Sequence, residues 1–302
     1  MDAIDLFAGA GGFTEGASLA GVRVVWAANH NPVAVRTHAT NHPDAIHVCQ
    51  DLHQADWRDV PRHDLLLASP ACQGHSKARG KERPHHDSTR STAWAVVSAL
   101  EYHRSEIALV ENVPDFKEWA LFPAWAGALS ALGYALAPYE VDAADFGVPQ
   151  NRERLMMVLT RSRHPLKLKL PKMEHQPFAP LIEWDRYAWS DVAAKVPATR
   201  ERIARGRTQF GARFLAPYYG SGSGKTGRDL NRPIGTITTL DRWALIDGER
   251  MRMLQPSELR AGMGFRSDYI LPADRRTAIF QLGNAVPPPM AAGMIEAIRA
   301  AA

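Results

Sequence analysis

The chain has 302 residues, a length that predicts one large domain or two modest ones. Hydrophobic residues (45%) and charged residues (23%) are in ordinary globular proportions, which excludes a mostly disordered, collagen-like or coiled-coil protein. The formal charge of +4 is unevenly spread, because residues 150–232 carry 17 Lys and Arg against 7 Asp and Glu, leaving 19 against 25 elsewhere. A cationic face on an acidic body predicts a polyanionic partner.

The cysteine content and hydropathy predict a cytoplasmic protein. Cys49 and Cys72 are the only cysteines, and Met1-Asp2 leads directly into a strand-like segment without a basic leader. No apolar run approaches the roughly 18 residues that a membrane span requires. We therefore expect a reducing compartment, no membrane association and no metal site.

The first 160 residues alternate short apolar runs with helical patterns. The strand-like runs are Ala3 to Phe7, Val22 to Ala27, Asp64 to Ser69, Ile107 to Val110 and Leu155 to Leu159, and the helical ones are Gly12 to Ala20, Pro32 to Asn41, Thr92 to His103 and Trp119 to Leu132. Because strands buried on both faces are almost continuously apolar, this order predicts an α/β fold with a doubly wound, mostly parallel sheet.

From His164 onward the sequence predicts a second, smaller lobe. Prolines and isolated aromatic residues become frequent, and Gly220 to Gly224 is a Gly/Ser tract typical of turns or linkers. The apolar pattern resumes after Arg232-Pro233, and Pro287 to Ala301 is predicted to be a terminal helix.

Four sequence features at the ends of the predicted strands indicate chemistry. A glycine-rich turn within Asp5 to Phe13 joins a strand to a helix, a pattern typical of nucleotide-type cofactor sites but not specific by itself. Cys72 and Glu111 each come after a buried strand, where open α/β sheets place reactive groups. Arg152 and Arg154 are two residues apart, which predicts that they share one face of the next strand.

Taken together in this order, the motifs resemble those of DNA (cytosine-5) methyltransferases. The resemblance runs from Asp5 to Asn284, almost the whole chain, and its six ordered motifs are specific. The motifs are the glycine turn, the Pro-x-Cys-Gln loop at 70–73, Glu111-Asn112-Val113, Gln-x-Arg-x-Arg at 150–154, Arg232-Pro233-Ile234-Gly235-Thr236-Ile237-Thr238, and Gly283-Asn284-Ala285-Val286-Pro287.

The resemblance implies a covalent mechanism. A thiolate from Cys72 would add to cytosine C6, so that C5 becomes nucleophilic enough to take a methyl group. Glu111 would hydrogen bond to N3 as an acid, and nearby arginines would favour the thiolate. The catalytic residues assigned in this way are Cys72, Gln73, Glu111, Asn112 and Arg152.

The cofactor implied is S-adenosyl-L-methionine. The family pattern places its binding site on the glycine turn, the ends of the following strands and the C-terminal motif. The cofactor-binding residues assigned in this way are Phe7, Gly9, Ala10, Gly11, Gly12, Asn29, Asp51, Pro70, Asn284 and Val286.

The substrate implied is double-stranded DNA with the target cytosine flipped out of the helix. The resemblance predicts a catalytic and cofactor-binding domain over 1–160, a target-recognition region over 161–231, and over 232–302 the remainder of that lobe with a segment returning to the first domain. The expected DNA-binding residues are Ser76, Lys77, Arg79, Arg154, Arg205, Arg207 and Arg213.

The same resemblance predicts a monomer acting on DNA at the nucleoid, in a restriction-modification setting where a cognate endonuclease would act separately. Three positions depart from the family pattern. Ala71 stands where a second proline is usual, His75 where a bulky aromatic residue is usual, and Asn29 where an acidic residue would hold the ribose hydroxyls.

Three other interpretations stay open on the sequence. An RNA cytosine-5 methyltransferase would use the same cysteine and glutamate. A catalytically silent DNA-binding relative is supported only by the departures at Ala71 and Asn29. A dinucleotide-dependent oxidoreductase would explain the glycine turn but not the other five motifs.

Overall fold

The computed structural model describes residues 1–71, 92–218 and 227–301. In these residues, a seven-stranded sheet has the order β3-β2-β1-β4-β5-β7-β6. Only β7 runs antiparallel to its neighbours, so the predicted doubly wound, mostly parallel sheet is confirmed. The strands are β1 Asp2–Leu6, β2 Arg23–Asn29, β3 Ile46–Cys49, β4 Leu65–Ala68, β5 Ile107–Asn112, β6 Ala135–Asp142 and β7 Glu153–Thr160.

Helices cover both faces of this sheet, because the side chains of its central strands alternate between two apolar cores. Leu65 and Leu67 of β4 pack with α1 and the terminal helix, whereas Leu66 packs with α3 and α4. The helices of this part are α1 Gly12–Leu19, α2 Pro32–Asn41, α3 Ala93–His103 and α4 Phe122–Ala131.

A second, four-stranded antiparallel sheet has the order β8-β11-β10-β9. On one face of this sheet, Ile203 of helix α5 packs with Phe214 of β9. On the other face, Leu215 and Leu245 belong to a core that also contains Leu259. The remaining elements are β8 Ser190–Asp191, α5 Pro197–Phe210, β9 Arg213–Pro217, β10 Trp243–Asp247, β11 Arg250–Met253, α6 Pro256–Gly262, α7 Arg275–Asn284 and α8 Pro288–Ala301.

Three local features differ from the sequence-based expectations, and one of them is the edge strand β3, which is absent from the predicted strands. Helix α4 begins at Phe122 rather than Trp119, because Pro123 is well suited to the first turn of a helix. The edge strand β6 was not predicted; it contains Pro138, which an edge position tolerates since one side of the strand makes no ladder. Among the described residues, no helix is long and apolar enough to cross a membrane.

Candidate active site

The candidate site lies at the edge of the large sheet where β1, β4 and β5 end. Leu6 is in register with Ala68, and Ala68 with Val110, so the residues after these strands emerge side by side. Strand β7 runs in the opposite direction and begins at this edge, since Asn112 is in register with Leu155. The glycine turn, the start of the cysteine loop, Glu111 and Arg154 therefore meet at one edge, the usual location of ligand sites in open α/β sheets.

The base of the cysteine loop is tied to the neighbouring strands. The Ser69 hydroxyl donates to the Phe7 carbonyl at 3.2 Å, and the Asn112 amide donates to the Pro70 carbonyl at 3.2 Å. Asn112 thus fixes the chain two residues before the cysteine. The predicted site residues outside the described part of the chain are Cys72, Gln73, Ser76, Lys77 and Arg79.

Glu111 is oriented by an ion pair. Arg154 Nε lies 2.8 Å from Glu111 Oε1, and the two side chains are only 12% and 10% exposed. Since a hydrogen bond between two charged groups is stronger and more directional than a neutral one, the guanidinium fixes the position of the carboxylate at the end of β5.

Arg152 has different partners from Arg154, although the sequence predicted a shared face. Its guanidinium is buried and donates to the carbonyls of Ile237, Gly283 and Ala285, at 2.9, 2.7 and 3.0 Å. These carbonyls belong to two of the motifs identified in the sequence. Arg152 therefore joins the C-terminal segments to the sheet edge, while Arg154 contacts Glu111.

The glycine turn is shaped mainly by packing against other parts of the chain. Phe7, although not a glycine, has a φ of 61°, a strained conformation that recurs at functional sites. A Cβ on Gly12 would lie 2.0 Å from the Val286 carbonyl oxygen, so this glycine is required for contact with the C-terminal motif. The close neighbour of Gly12 is therefore protein backbone.

A narrow crevice at the ends of β1 and β2 adjoins this turn, and Gly9, Asn29, His38 and His47 are among its lining residues. Asn29 Oδ1 accepts from the Asn31 backbone at 2.9 Å. Two other predicted cofactor residues are exposed: Asp51, whose carboxylate caps a short turn, and Asn284, at the end of α7.

The predicted DNA-binding arginines of the small lobe are distributed unevenly. Arg213 pairs with Asp247 at 2.8 Å and stacks over Trp184, and Arg207 pairs with Glu249 at 2.7 Å. Both arginines therefore lie near the turn between β10 and β11. Arg213 is the first residue of β9, and the other end of that strand, Pro217, is four residues or about 13 Å away. Arg205 is exposed on α5 and lies 4.0 Å from Glu201.

The predicted set of DNA-binding residues does not include two arginines at the opposite end of the small sheet, although the segment from Tyr218 to Arg228 is the alternative recognition surface that the sequence offers. Arg228 donates to the side chain of Asn151, within the Gln-x-Arg-x-Arg motif, and to the Pro233 carbonyl at 2.6 Å. Arg242 donates to the Tyr218 carbonyl at 2.9 Å. These two residues lie beside the register pair Trp243 and Pro217, where β10 begins and β9 ends. Arg228 and Asn151 are 77 residues apart, so residue spacing gives no sign of this contact.

A buried ion pair inside the small lobe was also missed. Arg252 binds both carboxylate oxygens of Glu258, at 2.8 and 2.6 Å, and both side chains are nearly inaccessible to water. Glu258 also accepts from the backbone of Glu183 and Gln255. The signal that could have revealed it is Glu258 at the third position of a helix that starts with proline, the place of a capping box.

Replacing Arg152 with methionine is expected to lower the free energy of unfolding by about 3 kcal/mol or more, because three buried carbonyls lose a charged donor. Chemical denaturation would measure this loss. Arg23→Met is the matched control, since it breaks an ion pair with Asp2 that is largely exposed and should cost clearly less stability. Equal losses in the two variants would contradict the joining role of Arg152.

Comparisons with known proteins give a consistent result. The family model described as C-5 cytosine-specific DNA methylase matches residues 1–300. The Type II methyltransferase M.MspI of Moraxella sp is 26% identical over 301 residues, covering 98% of this chain and 69% of that protein. The Type II methyltransferase M.NlaX of Neisseria lactamica is 28% identical over 312 residues, covering 99% and 96%.

Solved structures show the same fold. A mutant of Spodoptera frugiperda DNMT2 superimposes with a TM-score of 0.69 at 18% identity, covering 99% of each chain. The Entamoeba histolytica methyltransferase EhMeth gives a TM-score of 0.68 at 16% identity, covering 99% of this chain and 97% of that one.

Proposed function

Because the chain belongs to the C-5 cytosine-specific DNA methylase family, we propose that it methylates C5 of a cytosine flipped out of a specific double-stranded DNA sequence, using S-adenosylmethionine. Its activity is that of a DNA (cytosine-5) methyltransferase. The observation that carries the detailed mechanism is the Arg154–Glu111 pair, which lies beside the Asn112–Pro70 contact at the base of the cysteine loop.

The residues of the glycine turn fit an adenosine-type cofactor. Phe7 is held in a strained conformation directly after β1, and Gly9 and Asn29 lie where β1 and β2 end, the edge at which open α/β sheets bind ligands. Asn29 is neutral and can hydrogen bond to hydroxyl groups without adding charge. Exposed Asp51 and Asn284 would complete the site from either side. When bound, S-adenosylmethionine supplies an electrophilic methyl group.

In the proposed reaction the Cys72 thiolate attacks C6 of the flipped cytosine. The ring electrons move toward N3, where Glu111, after taking up a proton from water on the oxygen that Arg154 does not contact, donates that proton. Because Arg154 contacts Oε1 of Glu111, the other oxygen, Oε2, is the one proposed to hydrogen bond to the cytosine. C5 then takes the methyl group and a water removes the C5 proton. The thiolate leaves and N3 returns its proton to Glu111, which restores the aromatic ring.

We assign DNA contact in the small lobe to the end of its sheet that faces Asn151. Removing Arg228 or Arg242 is expected to weaken DNA binding by about 1 to 3 kcal/mol if the arginine contacts a base. If it contacts a phosphate instead, the loss should flatten the slope of log affinity against log salt by about one unit. Fluorescence anisotropy over a salt series would distinguish the two cases.

The matched controls are Arg207→Ala and Arg213→Ala at the far end of the same sheet, where both arginines already pair with carboxylates. They should leave affinity, salt slope and methylated sequence nearly unchanged. If the controls reduce DNA affinity more than Arg228→Ala and Arg242→Ala do, the DNA interface includes Arg207 and Arg213, as the sequence predicts.

Expression with and without Cys72, followed by sequencing of 5-methylcytosine in cellular DNA, tests the proposed function directly. Site-specific methylation that depends on Cys72 is expected, and the same experiment returns the recognition sequence. Methylation confined to RNA would overturn the proposal. We further propose that residues 161–231 form the target-recognition region, with the remainder of that lobe within 232–302. The protein is proposed to act as a monomer at the nucleoid, separately from any cognate endonuclease.

A further inference from the structure

A chain of four polar side chains lies directly behind the glycine turn. Asp5 accepts from the Thr14 hydroxyl at 2.8 Å, Thr14 Oγ1 lies 2.9 Å from His38 Nε2, and His38 Nδ1 lies 2.8 Å from His47 Nε2. Asp5, Thr14 and His38 are buried, whereas His47 is only partly buried. The chain therefore links a carboxyl group in the sheet to the protein surface.

The proposed reaction uses none of these side chains, yet they border the site. His38 and His47 line the same crevice as Gly9 and Asn29. A Cβ on Gly11, which has a φ of 90°, would lie 2.6 Å from Tyr269 Oη, 3.0 Å from His42 Nε2 and 3.1 Å from His38 Cδ2. Tyr269 also donates to the Ala10 carbonyl. His38 is therefore the member of this polar chain that packs against Gly11, so a shift of its ring would displace the glycine turn.

The hydrogen bonds that link Asp5, Thr14, His38 and His47 can all point in either of two directions. If Asp5 is protonated, it donates to Thr14, Thr14 to His38 Nε2, and His38 Nδ1–H to His47 Nε2. His47 is then left with a proton on Nδ1, the proton expected for its hydrogen bond to the Ala45 backbone. Every member of the chain has a partner in this direction.

If Asp5 is ionised, each donor and acceptor must be reversed. Thr14 then donates to Asp5, His38 donates through Nε2, and His47 must donate through Nε2 to His38. His47 can keep its contact with Ala45 only as an imidazolium. Asp5 Oδ1 is buried and has no hydrogen-bond partner among the described residues, so the ionised form leaves a poorly solvated oxygen.

The surroundings favour the protonated direction at moderate pH. Burial raises the pKa of Asp5 to about 7, and burial lowers the pKa of His38 well below its usual value. Burial lowers the pKa of His42 to about 4, with Arg266 contributing. Besides His42 and Arg266, the charged or titratable groups that surround these four residues are Glu15 on α1, and Asp268 and Tyr269 beside Arg266.

We propose that Asp5, Thr14, His38 and His47 form a proton relay that positions the cofactor, with the glycine turn binding the cofactor more tightly when Asp5 is protonated. In one passage the Asp5 proton moves to Thr14, the Thr14 proton to His38 Nε2, and the His38 Nδ1 proton to His47 Nε2. Asp5 becomes a carboxylate and His47 an imidazolium, which releases its extra proton to solvent. These are positioning residues, and their assignment rests on the proposed cofactor site.

Calorimetric titration with S-adenosylmethionine and with S-adenosylhomocysteine tests the relay. For the wild type, Kd should rise about fivefold or more between about pH 6 and about pH 8.5, the lower end of typical coupling between two sites. Asp5→Asn and Thr14→Val should flatten this pH profile, and Thr14→Ser should restore it. Because the cofactor's own amino group titrates near pH 8, the profile of each variant is compared with that of the wild type.

Thr37→Val is the matched control, since Thr37 is a buried threonine whose hydroxyl donates to Val33 of its own helix. It should keep the wild-type pH profile. If Asp5→Asn or Thr14→Val does not fold, His47→Gln at the partly buried end tests the same relay, because glutamine can accept from His38 but cannot carry the proton onward.

Wild-type pH dependence retained in Asp5→Asn, Thr14→Val or His47→Gln would overturn the relay. A wild type that binds the cofactor equally well across the range would also overturn it while leaving the proposed function intact. A wild type that binds neither ligand at any pH would instead contradict the proposed cofactor.

Discussion

Replacing Cys72 with alanine is expected to reduce methyl transfer to DNA by about 10⁴-fold or more, the scale on which enzymes lose activity without their nucleophile. Cytosine C5 is too weakly nucleophilic to take a methyl group until a thiolate adds to C6. Cofactor binding should survive, because Cys72 is not among the predicted cofactor residues and only Pro70 of that set lies on the same loop. Single-turnover transfer of a labelled methyl group, with calorimetry of cofactor binding, measures both effects.

Cys49→Ala is the control for this experiment, since Cys49 is an exposed thiol on β3. It should transfer methyl groups at the wild-type rate. DNA carrying 5-fluorocytosine should form a covalent adduct with the wild type and with Cys49→Ala, because fluorine at C5 prevents the final elimination, but not with Cys72→Ala. A Cys72→Ala protein that still methylates DNA at an appreciable rate would refute the covalent mechanism.

Replacing Glu111 with glutamine should lower turnover by about 10²-fold or more, within the range contributed by a positioned general acid. Glutamine can still hydrogen bond to the cytosine but cannot deliver a proton to N3. DNA affinity should change little, since most of it comes from phosphate contacts made elsewhere. Steady-state turnover and DNA binding, measured on the same preparations, separate these two quantities.

Glu153→Gln provides the matched control, because Glu153 is an exposed carboxylate at the start of β7 beside Arg154. It removes the same charge from the same region without touching the end of β5, and turnover should be unaffected. If Glu111→Gln keeps its turnover and loses only DNA affinity, Glu111 holds the base in position and is not the acid.

The sequence by itself determined the fold class and the edge of the sheet where the chemistry lies. Leu65 to Ala68 and Ile107 to Val110 are continuously apolar because each strand is covered on both faces, and this pattern is local. Polar residues directly after such strands must emerge at one edge, since parallel strands end on the same side. The order of the motifs along the chain was sufficient to indicate the family.

Only the tertiary structure decided which partner each polar side chain takes. Arg152 and Arg154 look equivalent in the sequence, yet one binds carbonyls near residue 284 and the other binds Glu111. Likewise, the charge count drew attention to Arg213, whose position at the far end of β9 is set by pairing with Asp247. A guanidinium can satisfy its five donors in many ways. The choice depends on segments that lie 34 residues away for Arg213 and 131 residues away for Arg152, which residue spacing cannot encode.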